Sequence, residues 1–198
     1  MLSAATAVTF AHEDAPTSGM NQTVMSAKCT QAINMYMNKQ KKATIWNKKV
    51  RNNNTISVDY IGRLSDGTVF DTNIRKIAKA CDIFDKDRAY WRTLDFKVGV
   101  GQMIVGFDAW VVGIKLHETK TIVIPPSQAY GEEFITLPLD QLPLKVDGTE
   151  YKQWDSIATM HGEVIIQSIT DTEFTINNIH PLAGKELIFD VTVKKISK

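Results

Sequence analysis

Two cysteines, Cys29 and Cys81, are too few to scaffold a disulfide-rich fold, though enough for a single bridge. The four histidines, His12, His117, His161 and His180, stand apart and share no metal-ligand spacing with either cysteine, so no metal and no cofactor is expected. No run of about 20 apolar residues occurs, which argues against an integral membrane helix. Neither sign of charge dominates: 23 Lys and Arg face 22 Asp and Glu, and a formal net charge of +1 supplies no bulk field for nucleic acid or an anionic membrane. Nucleic acid is therefore not an expected partner. Internal repeats and long low-complexity tracts are also lacking, which excludes a solenoid. What remains is an ordinary globular composition, long enough for one domain of about 100 residues with a smaller companion and an arm.

The chain opens on LSAATAVTFA, Leu2 to Ala11, apolar and small-rich but without a basic flank. It reads equally as the remnant of a signal peptide, with Thr9 and Ala11 at the positions before a cut, or as a terminus without function. Residues 1–54 as a whole read as an arm carrying one helix, Ser26 to Gln40, because Ala27, Ala32, Ile33, Tyr36 and Met37 recur at helical spacing. The asparagines Asn52 to Asn54 then mark a turn.

From Thr55 the period changes to two. Ile56, Val58 and Tyr60 alternate with polar residues as a half-buried strand requires, Gly62 suggests a bulge, and Ser65-Asp66-Gly67 turns the chain into a second strand through Phe70. A short helix is expected around Ile74, Ile77, Ala78 and Cys81, and a strand over Phe96 to Val100. A second helix is expected with Phe107, Trp110, Val111 and Ile114 on one face. Thr121 to Ile124 reads as a strand closed by Pro125-Pro126. Beyond Gly131 come a hairpin, Gly162–Ile169 and Glu173–Asn177, and a last alternating strand with Leu187, Phe189, Val191 and Val193 on one face. Many antiparallel strands with few short helices imply an α+β fold in which a twisted sheet wraps a helix.

Four motifs in this order resemble the FKBP-type peptidyl-prolyl cis-trans isomerases. They are Val58-x-Tyr60-x-Gly62-x-Leu64-x-Asp66-Gly67-x-x-Phe70-Asp71, Gly99-x-x-Gln102-Met103-Ile104-x-Gly106-Phe107, Pro126-x-x-Ala129-Tyr130-Gly131 and Leu187-x-Phe189-Asp190-Val191. Each is weak alone; together they are specific. About 50 residues separate Tyr130-Gly131 from the returning strand, and with the segment Asn178 to Lys185 this is similar to SlyD-like members, which carry an insert-in-flap domain. The resemblance implies a discontinuous isomerase domain, residues 55–131 and 179–198, interrupted by a small, mainly β, chaperone-like domain over residues 132–178.

It also implies the chemistry. Rotation about an X-Pro bond meets a barrier of about 18–20 kcal/mol from amide conjugation and needs neither nucleophile nor cofactor. A dry aromatic pocket favours the twisted, less polar imide over either planar isomer. Carried over residue by residue, the resemblance puts Tyr60, Phe70, Met103, Ile104, Leu182 and Phe189 on the walls and Phe107 on the floor, where many members have tryptophan. Tyr130 would donate its hydroxyl to a substrate carbonyl, and Asp71 would act as an orienting acceptor at the edge. Read singly, these aromatics are core residues of strands and Asp71 a turn former; only the joint pattern makes them a site.

The expected partners are unfolded or partly folded proline-containing polypeptides, met by a monomer. The alternative is a holdase, or binding module, with a vestigial isomerase pocket. Cys29 and Cys81 fall outside the segments that the family pattern explains. They are either two independent thiols or a bridge tying the arm to the core; a bridge, with the signal-like start, favours an extracytoplasmic location over a cytoplasmic one.

Overall fold

The computed structural model describes residues 26–145, 148–160 and 162–198. The signal-like stretch Leu2 to Ala11 lies outside them. In chain order the elements are α1 (Ala27–Lys41), β1 (Trp46–Lys49), β2 (Thr55–Leu64), β3 (Val69–Thr72), α2 (Arg75–Ala80), β4 (Leu94–Lys97), α3 (Val105–Trp110), β5 (Lys115–Leu116) and β6 (Thr119–Ile124). They continue with β7 (Phe134–Pro138), β8 (Ser156–Thr159), β9 (Gly162–Ile169), β10 (Glu173–Asn177) and β11 (Leu187–Ser197).

The main sheet is antiparallel in the order β3-β2-β11-β6, and β4 pairs with the early part of β2, Thr55 to Val58, below the stretch where β3 pairs. Strand alternation divides the buried residues between its two faces. In front, Ile56, Val58 and Tyr60 of β2 and Leu187, Phe189, Val191 and Val193 of β11 join Phe107, Val111 and Ile114 in and after α3. Behind, Ile61 meets Cys29 and Ile33 of α1, Ile77 of α2 and Val69. The back face is partly polar. Buried Asp190 accepts hydrogen bonds from Thr121 at 2.5 Å and from Arg63 Nε at 3.2 Å, and Tyr36 of α1 donates to Asp59 at 3.2 Å. Buried groups of this kind are tolerated because they are paired; no buried side-chain nitrogen or oxygen among the described residues lacks a partner.

Helix α1 begins where the Ser26 hydroxyl accepts a hydrogen bond from the Cys29 amide at 3.3 Å, an N-cap that satisfies one orphan donor. A disulfide joins Cys29 in α1 to Cys81, just after α2. The reading of residues 1–54 as one arm does not describe residues 46–54. Strand β1 pairs with β5, and Val50, 1 % exposed, exchanges backbone hydrogen bonds with Gly113 and Ile114 and joins the front core.

Other differences have local causes. The strand expected over Phe96 to Val100 ends at Lys97, because both oxygens of buried Asp108 capture the amides of Gly99 and Gly101 and turn the chain. Trp110, expected on the buried face of its helix, is exposed beside Lys120; α3 closes at this residue, and the buried stripe runs through Phe107, Val111 and Ile114. Gly62 does not interrupt β2, whose register with β11 is continuous there; the expected irregularity lies against β3, where the pairing shifts between Gly62 and Arg63. A Cβ on Gly62 would come within 2.8 Å of both Phe70 and Phe189, so the position is kept bare by the rings packed over it.

Residues 134–177 form a separate four-stranded antiparallel sheet in the order β7-β10-β9-β8. Its own core is Ile157, Val164, Ile166 and Phe174, with Leu137, Leu139, Leu142 and Tyr151 partly buried against it. The exit and return of the chain are laced together. Gly131, at φ +81°, accepts from the Gly184 amide at 2.9 Å, and the Asn178 side chain donates to the carbonyls of Tyr130 and Glu132 at 3.0 and 3.1 Å. The left-handed turn at Gly131 is one that a side chain would strain.

Candidate active site

Phe189 stands at the middle of an aromatic cluster. Its ring meets Phe107 at 5.1 Å and Phe70 at 5.6 Å, both edge-on, and Tyr60 at 6.2 Å. Edge-to-face contacts of this kind hold rings in fixed orientation. Phe107 is backed in turn by Phe96 at 5.8 Å. The four rings come from β2, β3, α3 and β11, which converge because Phe189 pairs with Gly62 and the bare glycine admits Phe70 and Phe189 above it. Met103, Ile104 and Leu182 are half-buried against the front core that contains these rings, so all seven residues read as walls and floor belong to one hydrophobic cluster.

Asp71 lies at the edge of this cluster, but not as a free acceptor. Tyr60 donates its hydroxyl to one Asp71 oxygen at 2.6 Å, and the Arg88 guanidinium holds the other in an ion pair. Arg88 also donates to the Tyr60 hydroxyl at 2.5 Å, closing a three-membered network. Burial, then the hydrogen bond to the Asp71 carboxylate, pushes the Tyr60 phenol well above the ordinary tyrosine range, so it stays protonated and donating. For Arg88 burial opposes the charge, yet Asp71 and Tyr60 outweigh it and raise its pKa.

The Tyr130 ring stacks on His180 with centroids 3.6 Å apart, and its side chain is exposed. His180 Nδ1 accepts from the Leu182 amide at 3.1 Å, so one loop places both a partner for Tyr130 and an apolar wall. The Tyr130 hydroxyl has no hydrogen-bond partner among the described residues.

Arg88 and His180 carry no role in the sequence reading. Arg88 sits in a charged excursion that the motif pattern does not cover, 17 residues beyond Asp71, and nothing in its neighbours marks it. His180 falls inside a segment quoted for its resemblance, where stacking on Tyr130 could have been suspected from proximity to Leu182. Among the described residues no group of three or more His, Cys, Asp or Glu is placed to hold a metal ion, and no helix is long and apolar enough to cross a membrane.

The arrangement offers an aromatic cluster edged by the Tyr60–Asp71–Arg88 network, and an exposed tyrosine stacked on a histidine. A family model described as FKBP-type peptidyl-prolyl cis-trans isomerase matches residues 47–194. The chain is 31 % identical over 150 residues to a short-type peptidyl-prolyl cis-trans isomerase of Methanocaldococcus jannaschii, covering 74 % of this chain and 94 % of that protein. It is 26 % identical over 155 residues to a protein of Pseudomonas fluorescens named "Probable FKBP-type 16 kDa peptidyl-prolyl cis-trans isomerase", covering 73 % and 90 %. With FK506-binding protein 2 of Yarrowia lipolytica the similarity, 33 % over 85 residues, covers 43 % of this chain and 49 % of the relative.

Proposed function

The chain belongs to the FKBP-type peptidyl-prolyl cis-trans isomerase family, and from that premise we propose that its Phe189 cluster turns X-Pro bonds in folding polypeptides while the sheet of residues 134–177 holds the client. The observation that carries this reading is the convergence of Tyr60, Phe70 and Phe107 on the Phe189 ring, with Tyr130, exposed and stacked on His180, supplying the hydroxyl.

The imide loses conjugation as it twists, becomes less polar, and is favoured by apolar walls over the planar isomers. Tyr130 donates to a carbonyl of the bound peptide and fixes the axis of rotation. The Tyr60–Asp71–Arg88 network acts one step back: it holds the Tyr60 ring against Phe189 and consumes the Asp71 charge, keeping the wall dry. Each 1.4 kcal/mol of preference for the twisted state is about tenfold in rate.

The inserted sheet supplies client contact. Leu144 and Met160 are 96 % and 92 % exposed, Trp154 and Phe134 are also open, and Leu139, Leu142, Pro143 and Tyr151 line a groove beside Leu144. Apolar surface of this extent suits an unfolded chain. The Cys29–Cys81 bridge supports residence in an oxidising, extracytoplasmic compartment.

The test is proline-limited refolding of a client protein, without protease, in parallel with client capture. Wild type accelerates refolding, Phe189→Ala loses the acceleration, and replacing residues 132–178 by a short flap leaves catalysis on a short proline peptide but abolishes capture. No acceleration by wild type ends the isomerase reading; capture by the shortened chain ends the reading of the insert.

A further inference from the structure

The near-neutral net charge conceals a segregation. Between Asp14 and Asp59 the sequence contains no acidic residue, and the same holds after Asp190. Residues 27–58 carry Lys28, Lys39, Lys41, Lys42, Lys48, Lys49 and Arg51, and the C-terminal stretch carries Lys194, Lys195 and Lys198. Ten of the 23 basic side chains and none of the 22 acids lie there, leaving 13 cations against 22 acids elsewhere.

The fold joins the two stretches. Lys48, Lys49 and Arg51 of β1 and its exit border one depression with Lys198, and Lys39 and Lys42 from the end of α1 border another with Lys194. Lys48 Nζ donates to the Ile196 carbonyl at 2.7 Å, fastening β1 against β11. The few acids nearby are engaged: Asp59 by Tyr36 and Lys194, Asp95 by Thr93, Glu118 by the Lys115 amide. All four β1 residues are exposed, and in their midst stand Ile45 and Trp46, 52 % and 60 % exposed, flanked by lysines on both sides.

We propose that this face docks on an anionic lipid bilayer. Clustered cations gain from anionic headgroups what a chain of balanced charge would not. Indole settles at headgroup level, where its apolar body and polar N–H are both satisfied. Ile45 favours lipid over nucleic acid, since a branched aliphatic side chain adds to burial at the acyl boundary but offers no ring for bases to stack on. The orientation suits function. Phe189 pairs with Gly62 and Ser197 with Thr55, so the basic end of β11 lies about 25 Å along the strand from the aromatic cluster at ~3.3 Å per residue. The insertion also leaves the core at the far end, beyond β6, whose Ile124 pairs with Leu187. A docked molecule keeps its prolyl site and insert open to clients.

The experiment floats the full chain with vesicles of phosphatidylcholine alone or with about one-third phosphatidylglycerol. The chain is expected to float with the anionic vesicles only and to be released at about 1 M salt, where the Debye length falls to about 3 Å. The variant Lys48→Gln/Lys49→Gln/Arg51→Gln should lower partitioning on the order of 100-fold, about fivefold per cation, and Trp46→Ala should remove a blue shift of tryptophan emission seen on docking. An unchanged catalytic rate on a short proline peptide certifies that both variants are folded. Equal flotation with neutral vesicles, no flotation with anionic ones, or a triple variant that floats like wild type overturns the proposal. Displacement from the vesicles by an equal charge of duplex oligonucleotide overturns it in favour of nucleic acid.

Discussion

The sheet that carries Phe189 is covered on both faces, by α3 and the aromatic cluster in front and by α1 and α2 behind. The sheet of residues 134–177 gathers four buried apolar residues into a small core and leaves Leu144, Trp154 and Met160 at the surface. Both are antiparallel and built from alternating strands. They differ in core: the first packs four aromatic rings against one another, whereas the second buries a single aromatic ring, Phe174, among aliphatic side chains; Gly131 and Asn178 stand at the join.

That contrast can be broken from either side. The largest effect is expected for Phe189→Ala, which removes three ring contacts from the main core; destabilisation of about 3–5 kcal/mol by urea unfolding should accompany loss of catalysis. Cutting the back-face staple with Cys29→Ser/Cys81→Ser should cost about 2–4 kcal/mol, as a bridge across a sequence separation of 52 restrains the unfolded chain. Differential scanning calorimetry of oxidised, reduced and variant protein checks this, with the first clearly above the other two.

On the inserted side, Leu144→Asp/Trp154→Asp should change stability by no more than about 0.5 kcal/mol, since both residues are exposed, while client capture measured by suppressed aggregation falls. An equal loss of catalysis on a short peptide would mean that the two regions are not separable. The smallest effect concerns pH. Burial, first of all, raises the phenols of Tyr36 and Tyr60, so the folded state holds these protons more tightly than the unfolded chain. Their contribution is fully present below the unfolded tyrosine value of about pH 10 and declines as pH rises beyond it. Unfolding titrations above pH 10 should show a shallower decline for Tyr36→Phe/Tyr60→Phe than for wild type.

Much of this was legible in order along the chain. The alternation of Ile56, Val58 and Tyr60, the turn at Asp66-Gly67, and the motifs ending in Tyr130-Gly131 and Phe189 all depend on neighbours within a few residues, so periodicity and spacing report them. The extent of the strand after Phe96 and the exposure of Trp110 were not legible, because the Asp108 carboxylate and the end of α3 override the local pattern.

By itself, then, the sequence determined the family, the alternating strands and the aromatic positions of the motifs, because each is written in local spacing. Tertiary structure alone decided that Arg88 reaches back to Asp71 and Tyr60, that Cys29 meets Cys81, that Val50 belongs to the core, and that Lys48, Lys49 and Arg51 border one depression with Lys198. Those are contacts between residues from 17 to about 150 positions apart. Pairings at such distance are selected by how whole elements pack, and no local pattern encodes them.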